Sequence, residues 1–385
     1  MFSGNNNLPE NDFVMNSNLK IIYGIIAIIA LVFGFFHLVI PDSIYNFERL
    51  HVFLFNLCGG GTLVLFFTLK QKKIPVRVAL FLVLSIAYAI LAFYEIYIPA
   101  MVLSICLAII VESVRTEKFS FLPMGFFRRN EPVYLKFHQA SLLCLSMALV
   151  ISTLVILNNE YLKLVSMPKL QLDTFFLGFS FPLSLITFSL IYSFIADVDK
   201  PVVNIAKEAG FWMVNLGVII FFIFIIFEQL SPQVVVTSVL FIAVMMVFYL
   251  FYKLGKNIQQ KHFLVSGLGF LVVTAVSGIV YILYHYSYDY SSEKYKWLLQ
   301  FHAFAALYGW NLCGLSVICR YNDFPVRLHS LPIILLHWIT VLIFAPLGKS
   351  QPWFALAALI GYTLILYFLL FSKRQLSPIR NSISK

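Results

Sequence analysis

The chain has 385 residues, of which 61% are hydrophobic and only 11% charged, and its mean hydropathy is +0.90. This chain has too few polar residues to cover the apolar surface of a soluble domain, so a soluble fold is excluded. Apolar runs of about 20 residues, the length that crosses a bilayer as a helix, recur along the chain. The short alternating segments typical of a membrane β-barrel are absent. The sequence therefore predicts an all-α polytopic membrane protein.

The apolar runs predict about twelve transmembrane helices in a domain that covers residues 20–372. A polar tail, residues 1–19, precedes this domain, and a basic tail, residues 373–385, follows it. The predicted spans, numbered 1 to 12 in chain order, are 20–40, 50–69, 76–94, 96–113, 135–157, 172–195, 207–228, 232–253, 262–286, 297–319, 328–347 and 351–372.

The net charge of +10 reflects an uneven distribution of basic residues. If the N-terminus is cytoplasmic, 21 of the 27 Lys and Arg residues fall on the cytoplasmic side and 6 on the outer side. This asymmetry follows the positive-inside rule and predicts that both tails are cytoplasmic. Topology and attraction to the anionic lipid of the bilayer then explain the charge, without a nucleic-acid partner. We expect the protein in a prokaryotic cytoplasmic (inner) membrane.

Two histidines, His51 and His302, lie near the starts of spans 2 and 10. Both spans run inward in the predicted topology, so both histidines lie toward the outer face. An ionisable side chain inside a membrane helix is costly and indicates a function. We therefore expect the two imidazoles to share one ligand.

A short sequence repeat accompanies the two histidines. Asn56-Leu57-Cys58-Gly59 in span 2 recurs as Asn311-Leu312-Cys313-Gly314 in span 10. Glycines near the repeat, including Gly60 and Gly309, remove side chains from both helices. They are explained either by close helix packing or by room for a flat cofactor.

Imidazole is a common axial ligand of haem iron, and two histidines from facing helices would form a six-coordinate, low-spin centre. In this hypothesis His51 and His302 are the metal ligands, and Gly60 and Gly309 lie against the ring. Arg49 and Trp297 lie near the membrane surface, where haem propionates need basic or aromatic partners.

The segment Gln300-Phe301-His302-Ala303-Phe304-Ala305-Ala306-Leu307-Tyr308-Gly309-Trp310, together with His51 and the span plan, resembles the haem–copper oxidase subunit I superfamily. That superfamily includes nitric-oxide reductases and nitric-oxide-response membrane proteins. The resemblance implies twelve helices, a three-fold repeat of four helices, and one low-spin b-type haem held by His51 and His302.

The chain also departs from that superfamily. Gln300 stands where the ligand of the high-spin haem is expected, and spans 6 and 7 carry no histidine. Copper and an oxygen-reducing centre are therefore not expected. The resemblance implies electron transfer or a response to a small gas or redox signal, with a redox partner protein. The residues do not decide whether the protein is an enzyme.

The alternative is a cofactor-free twelve-span transporter of a small solute. Helices broken by proline are typical of transporter sites, and Pro99, Pro182 and Pro332 are candidates for such breaks. His337 and Glu112 would be its proton carriers. Visible absorption distinguishes the two hypotheses, because only a haem protein is coloured.

Overall fold

The computed structural model describes residues 15–40, 45–166, 168–196, 198, 200–286, 291–325 and 331–372. Most of the predicted N-terminal tail and all of the C-terminal tail lie outside these residues. Within them the chain is helical and contains no named strand, only one isolated bridge between Ile195 and Gly255. The expected all-α architecture is confirmed.

Eleven helices are long and apolar enough to cross a membrane, and a further helix, α6, has an apolar portion at Gly178–Ser193. This agrees with the prediction of about twelve spans, whereas the side on which the termini lie stays a prediction. The helices are α1 Ser17–Leu38, α2 Phe47–Leu69, α3 Val76–Phe93, α4 Tyr97–Lys118, α5 Val133–Leu162, α6 Pro168–Ser193, α7 Pro201–Ile226, α8 Leu230–Leu254, α9 Gln260–Tyr284, α10 Lys294–Cys319, α11 Leu331–Gly348 and α12 Pro352–Phe371.

Some helices extend beyond the predicted spans. Helix α7 begins at Pro201, six residues before the predicted start of span 7, and α4 continues to Lys118. A hydropathy pattern stops at charges, but charges in the added turn of α4 have partners. Nη2 of Arg115, for example, lies 2.6 Å from Oε2 of Glu112 in the same helix. This ion pair lets α4 continue where the apolar run has ended.

Helices α2, α6 and α10 pack against one another at the centre of the bundle. Every residue of α2 from His51 to Leu69 is buried. Glycines allow the close approach: an added Cβ at Gly60 would meet Leu183 of α6, and one at Gly314 would meet Thr187 of the same helix. The three central helices are four apart in the chain, as a repeat of four helices requires, although the repeat itself stays a prediction.

Three helices near the centre contain π-helical segments. They are Phe53–Gly61 in α2, Ala305–Asn311 in α10 and Thr340–Phe344 in α11. A π-helical turn leaves the regular hydrogen-bond ladder of the α-helix and is frequent at functional sites. The π-helical segments of α10 and α11 contact each other. Phe55 in the segment of α2 contacts Tyr308 in the segment of α10.

We expect Gly314→Ala to destabilise the protein. The new methyl group would clash with the hydroxyl and Cβ of Thr187, which the neighbouring helix holds in place. Overpacking of this kind costs about 1–3 kcal/mol. The midpoint of thermal unfolding in detergent measures the effect. Gly24→Ala is the control, because its Cβ would lie 3.2 Å from the flexible end of Leu370. Equal stability of Gly314→Ala and the wild type would contradict the packing at this contact.

Candidate functional site: a buried polar cluster around Tyr308

His51 docks against helix α1. Its Nδ1 lies 2.8 Å from the carbonyl oxygen of Ala30, and the same edge of the ring lies over Gly34. A Cβ at Gly34 would come within 2.8 Å of that nitrogen, so only glycine leaves room for the imidazole. The carbonyl of Ala30 accepts a hydrogen bond when the proton is on Nδ1, which leaves Nε2 unprotonated.

His302 docks against helix α9 in the same way. Its Nδ1 lies 2.9 Å from the carbonyl oxygen of Thr274, and its Cε1 would lie 3.1 Å from a Cβ at Gly278. In both niches the glycine follows the accepting residue by four positions, or one helical turn. The pairs α1–α2 and α9–α10 therefore use one docking arrangement, eight helices apart.

The two histidines occupy separate niches on different helices. In the described part of the chain, no hydrogen bond or ring contact joins His51 to His302. The residue of α10 that contacts His51 is Tyr308, whose hydroxyl lies 3.1 Å from Nδ1. The described residues contain no group of three or more His, Cys, Asp or Glu side chains that could hold a metal.

The other residues predicted for a haem site lie apart. The space beside Gly60 is filled by Leu183, and the space beside Gly309 by the ring of Phe270. Arg49 donates a hydrogen bond to the carbonyl of Ala92, 3.3 Å away. Trp297 is 58% exposed on the outside of the bundle. Side chains of neighbouring helices therefore pack closely against both glycines.

Tyr308 connects three other helices. Its ring centroid lies 4.7 Å from that of Phe55 in α2 and 4.8 Å from that of Tyr362 in α12. Its carbonyl oxygen accepts a hydrogen bond from Nε2 of His337 in α11, 2.6 Å away. Only 2% of Tyr308 is exposed. The Tyr308 cluster, as we use the term, consists of His51, Tyr308, His337, Thr340 and Tyr362.

Three polar atoms of the Tyr308 cluster have no hydrogen-bond partner among the described residues. They are the Tyr362 hydroxyl, Nδ1 of His337 and the Thr340 hydroxyl, all buried. Thr340 belongs to the cluster because its side chain lies against Gly361, the neighbour of Tyr362. An unsatisfied buried polar group costs about 1–3 kcal/mol, and water or a ligand usually satisfies it. The cluster therefore has the chemistry of a hydrated or ligand-binding site.

The sequence repeat has two different environments. Asn311 is fully engaged with α6: its Oδ1 accepts from Ser184 at 2.9 Å and its Nδ2 donates to Oγ of Ser180 at 2.9 Å. Asn56, next to Phe55, is completely buried, and neither of its side-chain polar atoms has a described partner. The equivalent positions thus differ in hydrogen bonding.

Lys349, between α11 and α12, closes the site at the end predicted to face outward. Its Nζ lies 2.6 Å from Oε2 of Glu48 in α2 and 3.0 Å from the carbonyl oxygen of Gly34 in α1. It also lies 5.8 Å from the ring centroid of Phe304 in α10. His37 donates from Nε2 to the Lys349 carbonyl at 2.9 Å. This one residue, between α11 and α12, thus contacts three further helices, α1, α2 and α10, near His51.

A second ion cluster closes the opposite end. Arg320, after α10, donates to the carbonyl oxygens of Leu370 and Ser372 at the end of α12, both at 3.0 Å. Its Nε lies 2.8 Å from Oδ2 of Asp323, and Nζ of Lys20 in α1 lies 3.3 Å from the same oxygen. The Tyr308 cluster is thus enclosed between two ion clusters.

No protein-family model, curated protein or solved structure matches this chain. The site is therefore interpreted from its own chemistry.

We expect Lys349→Met to lower the thermal midpoint by the equivalent of about 1–3 kcal/mol, because the hydrogen bonds of a charged group are lost. The reversed pair Glu48→Lys with Lys349→Glu should recover part of the loss, since the attraction returns but the bond to Gly34 does not. Lys296→Met, at an exposed position of α10, is the matched control. If Lys349→Met is as stable as the wild type, Lys349 does not hold these helices together.

Proposed function

We propose that this protein is a cofactor-free transporter that moves protons through the Tyr308 cluster. The observation that carries the proposal is a buried cluster of titratable and hydroxyl side chains, several without partners, where three π-helical segments lie. Ionisable residues inside a membrane bundle mark ion and proton pathways. Transporter sites commonly lie at irregular helix segments deep in the bundle.

The hydrogen bonds of His51 support a proton relay. Nδ1 lies 2.8 Å from the Ala30 carbonyl and 3.1 Å from the Tyr308 hydroxyl. With its hydrogen on Nδ1 the ring donates to Ala30, and with its hydrogen on Nε2 the ring accepts from Tyr308. Both partners lie at Nδ1, and the Ala30 carbonyl can only accept a hydrogen bond, so Tyr308 is the proton-exchanging group on that side of the ring. In the proposed relay, His51 takes up a proton at one ring nitrogen and releases one at the other, with Tyr308 at Nδ1 and a water or solute at Nε2.

The enclosure at both ends supports transport rather than an open channel. Lys349 joins the helices above His51, and the cluster of Lys20, Arg320 and Asp323 joins α1, α10 and α12 at the other end. Alternating opening of two such closures is how a transporter avoids a continuous leak. Of the two proton carriers expected from the sequence, His337 lies in the cluster, whereas Glu112 lies outside it and is paired with Arg115.

We expect Tyr308→Phe to reduce proton flux at least ten-fold, because it removes the hydroxyl that bonds His51 while the ring still fills its space. The measurement uses the purified protein in liposomes that contain a pH-sensitive dye, with a potassium gradient and valinomycin to impose a membrane potential.

Tyr192→Phe is the matched control for that flux measurement. Tyr192 is another buried tyrosine, packed on Phe137 away from the cluster, and its loss should leave the flux unchanged. The proposal fails if wild-type liposomes conduct no more than protein-free liposomes, or if Tyr308→Phe retains the full flux.

A single b-type haem is the second candidate. The observation that favours it is the bond from Nδ1 of His51 and of His302 to a backbone carbonyl, because metal-binding histidines commonly make this bond through the ring nitrogen that does not bind the metal. His51 and His302 would be its ligands, and the haem would supply one-electron transfer.

The donor atoms fit a haem, but the packing does not. Tyr308 stacks on His51 with ring centroids 5.5 Å apart, and Leu183 and Phe270 fill the space beside Gly60 and Gly309. The imidazole of His51 docks on α1 and that of His302 docks on α9, so the two rings do not face a common cavity. We therefore derive no electron-transfer step from this arrangement.

A reduced-minus-oxidised visible spectrum of protein expressed with ample haem decides between the two candidates. The transporter proposal predicts no haem band. A band that disappears in both His51→Ala and His302→Ala, but stays in His138→Ala, would establish the haem and contradict the transporter. His138 suits the control because its Nε2 lies 2.8 Å from the Thr68 hydroxyl, in a separate part of the bundle.

A further inference from the structure

We propose that residues 119–130, between α4 and α5, form a binding site for anionic phospholipid. This proposal does not depend on transport or on haem. The segment lies at the end of the bundle that carries most of the basic residues and is predicted to be cytoplasmic. We call residues 119–130 the basic loop.

The basic loop exposes large apolar side chains. Phe121 is 75% exposed and Phe127 is 73% exposed, and Leu122 and Met124 are also exposed. In a water-soluble region four such side chains in seven residues would be unfavourable. Beside the ends of membrane helices they are stable if they enter the boundary between headgroups and acyl chains.

The basic loop is held in place by the bundle. Arg115 donates to the carbonyl oxygens of Ser120 and Phe121, at 3.0 and 2.9 Å. At the other end, the ring of Phe127 lies 5.3 Å from that of Trp212 in α7. The exposed side chains are therefore presented by a fixed backbone, which favours recognition of one class of partner.

Charge identifies the partner. Arg128 and Arg129 are both exposed and follow Phe127 directly, so two positive charges stand beside an exposed aromatic ring. Basic residues next to membrane helices attract anionic headgroups, and arginine forms paired hydrogen bonds with phosphate. A zwitterionic lipid supplies the same phosphate but no net negative charge.

A groove next to the basic loop accommodates an acyl chain. It has a volume of 450 Å³ and lies between α4 and α5, where Ile105, Ile109, Val150 and Phe121 contribute apolar walls. Ser113, Thr116 and Glu112 also line the groove, and the Glu112 carboxylate is neutralised by its ion pair with Arg115. Phe121 belongs to both the groove and the loop, so a lipid can place a chain in the groove while its headgroup lies toward the basic loop.

The test measures retained lipid by native mass spectrometry and the thermal midpoint of the full chain, in detergent with added phosphatidylglycerol or phosphatidylcholine. We expect phosphatidylglycerol to bind more tightly and to raise the midpoint more. Arg128→Gln with Arg129→Gln should weaken phosphatidylglycerol binding by roughly five-fold for each charge removed, and should weaken phosphatidylcholine binding less, because only the hydrogen bonds to phosphate are lost there. Phe121→Ala should weaken both lipids.

Lys294→Gln with Lys296→Gln is the matched control, because it removes two exposed positive charges from the opposite end of the bundle. It should keep the preference for phosphatidylglycerol. The proposal is overturned if the wild type shows no preference between the two lipids, or if the arginine and lysine variants lose that preference equally. Unchanged binding in Phe121→Ala would overturn the role of the groove.

Discussion

The hydrogen-bonding demand of polar groups inside an apolar bundle governs this structure. Lipid offers no partners, so each buried polar group must find one within the protein. Tyr308 meets this demand for several helices at once: its hydroxyl is within reach of His51, and its carbonyl accepts from His337. Near Tyr308, the hydroxyl groups of Tyr362 and Thr340 have no hydrogen-bond partner among the described residues. A place where the demand is left unmet, in an otherwise packed bundle, is where a mobile ion or water is stable.

The two docking niches explain why histidine occurs twice in central helices, at the ends that are predicted to face outward. At each niche a backbone carbonyl and a glycine one turn later receive the Nδ1 edge of the ring. The niches are alike, but their surroundings differ. His51 has the tyrosine hydroxyl as a second partner, whereas His302 has the hydroxyl of Ser277 at 3.3 Å. His51 is therefore bonded to the Tyr308 cluster, whereas both hydrogen-bond partners of His302 belong to α9.

The sequence predicted the spans well because hydropathy decides which segments enter a bilayer, and charges decide only their ends. It also identified His51 as a costly side chain inside a membrane helix and His337 as a candidate proton carrier. It could not show which helices pack together, so it placed His51 and His302 against a common ligand, whereas their rings dock on α1 and α9. Tyr308 was missed because one tyrosine among 20 has no distinguishing pattern. Helical periodicity also does not indicate π-helical segments, which depend on tertiary packing.

The most direct test of the account is a density map of the protein in a lipid nanodisc, at a resolution that shows ordered water. We predict water or a small solute within hydrogen-bond distance of the Tyr362 hydroxyl, the Thr340 hydroxyl and Nδ1 of His337. Closely packed side chains with no such density, or a flat density joining His51 to His302, would contradict it.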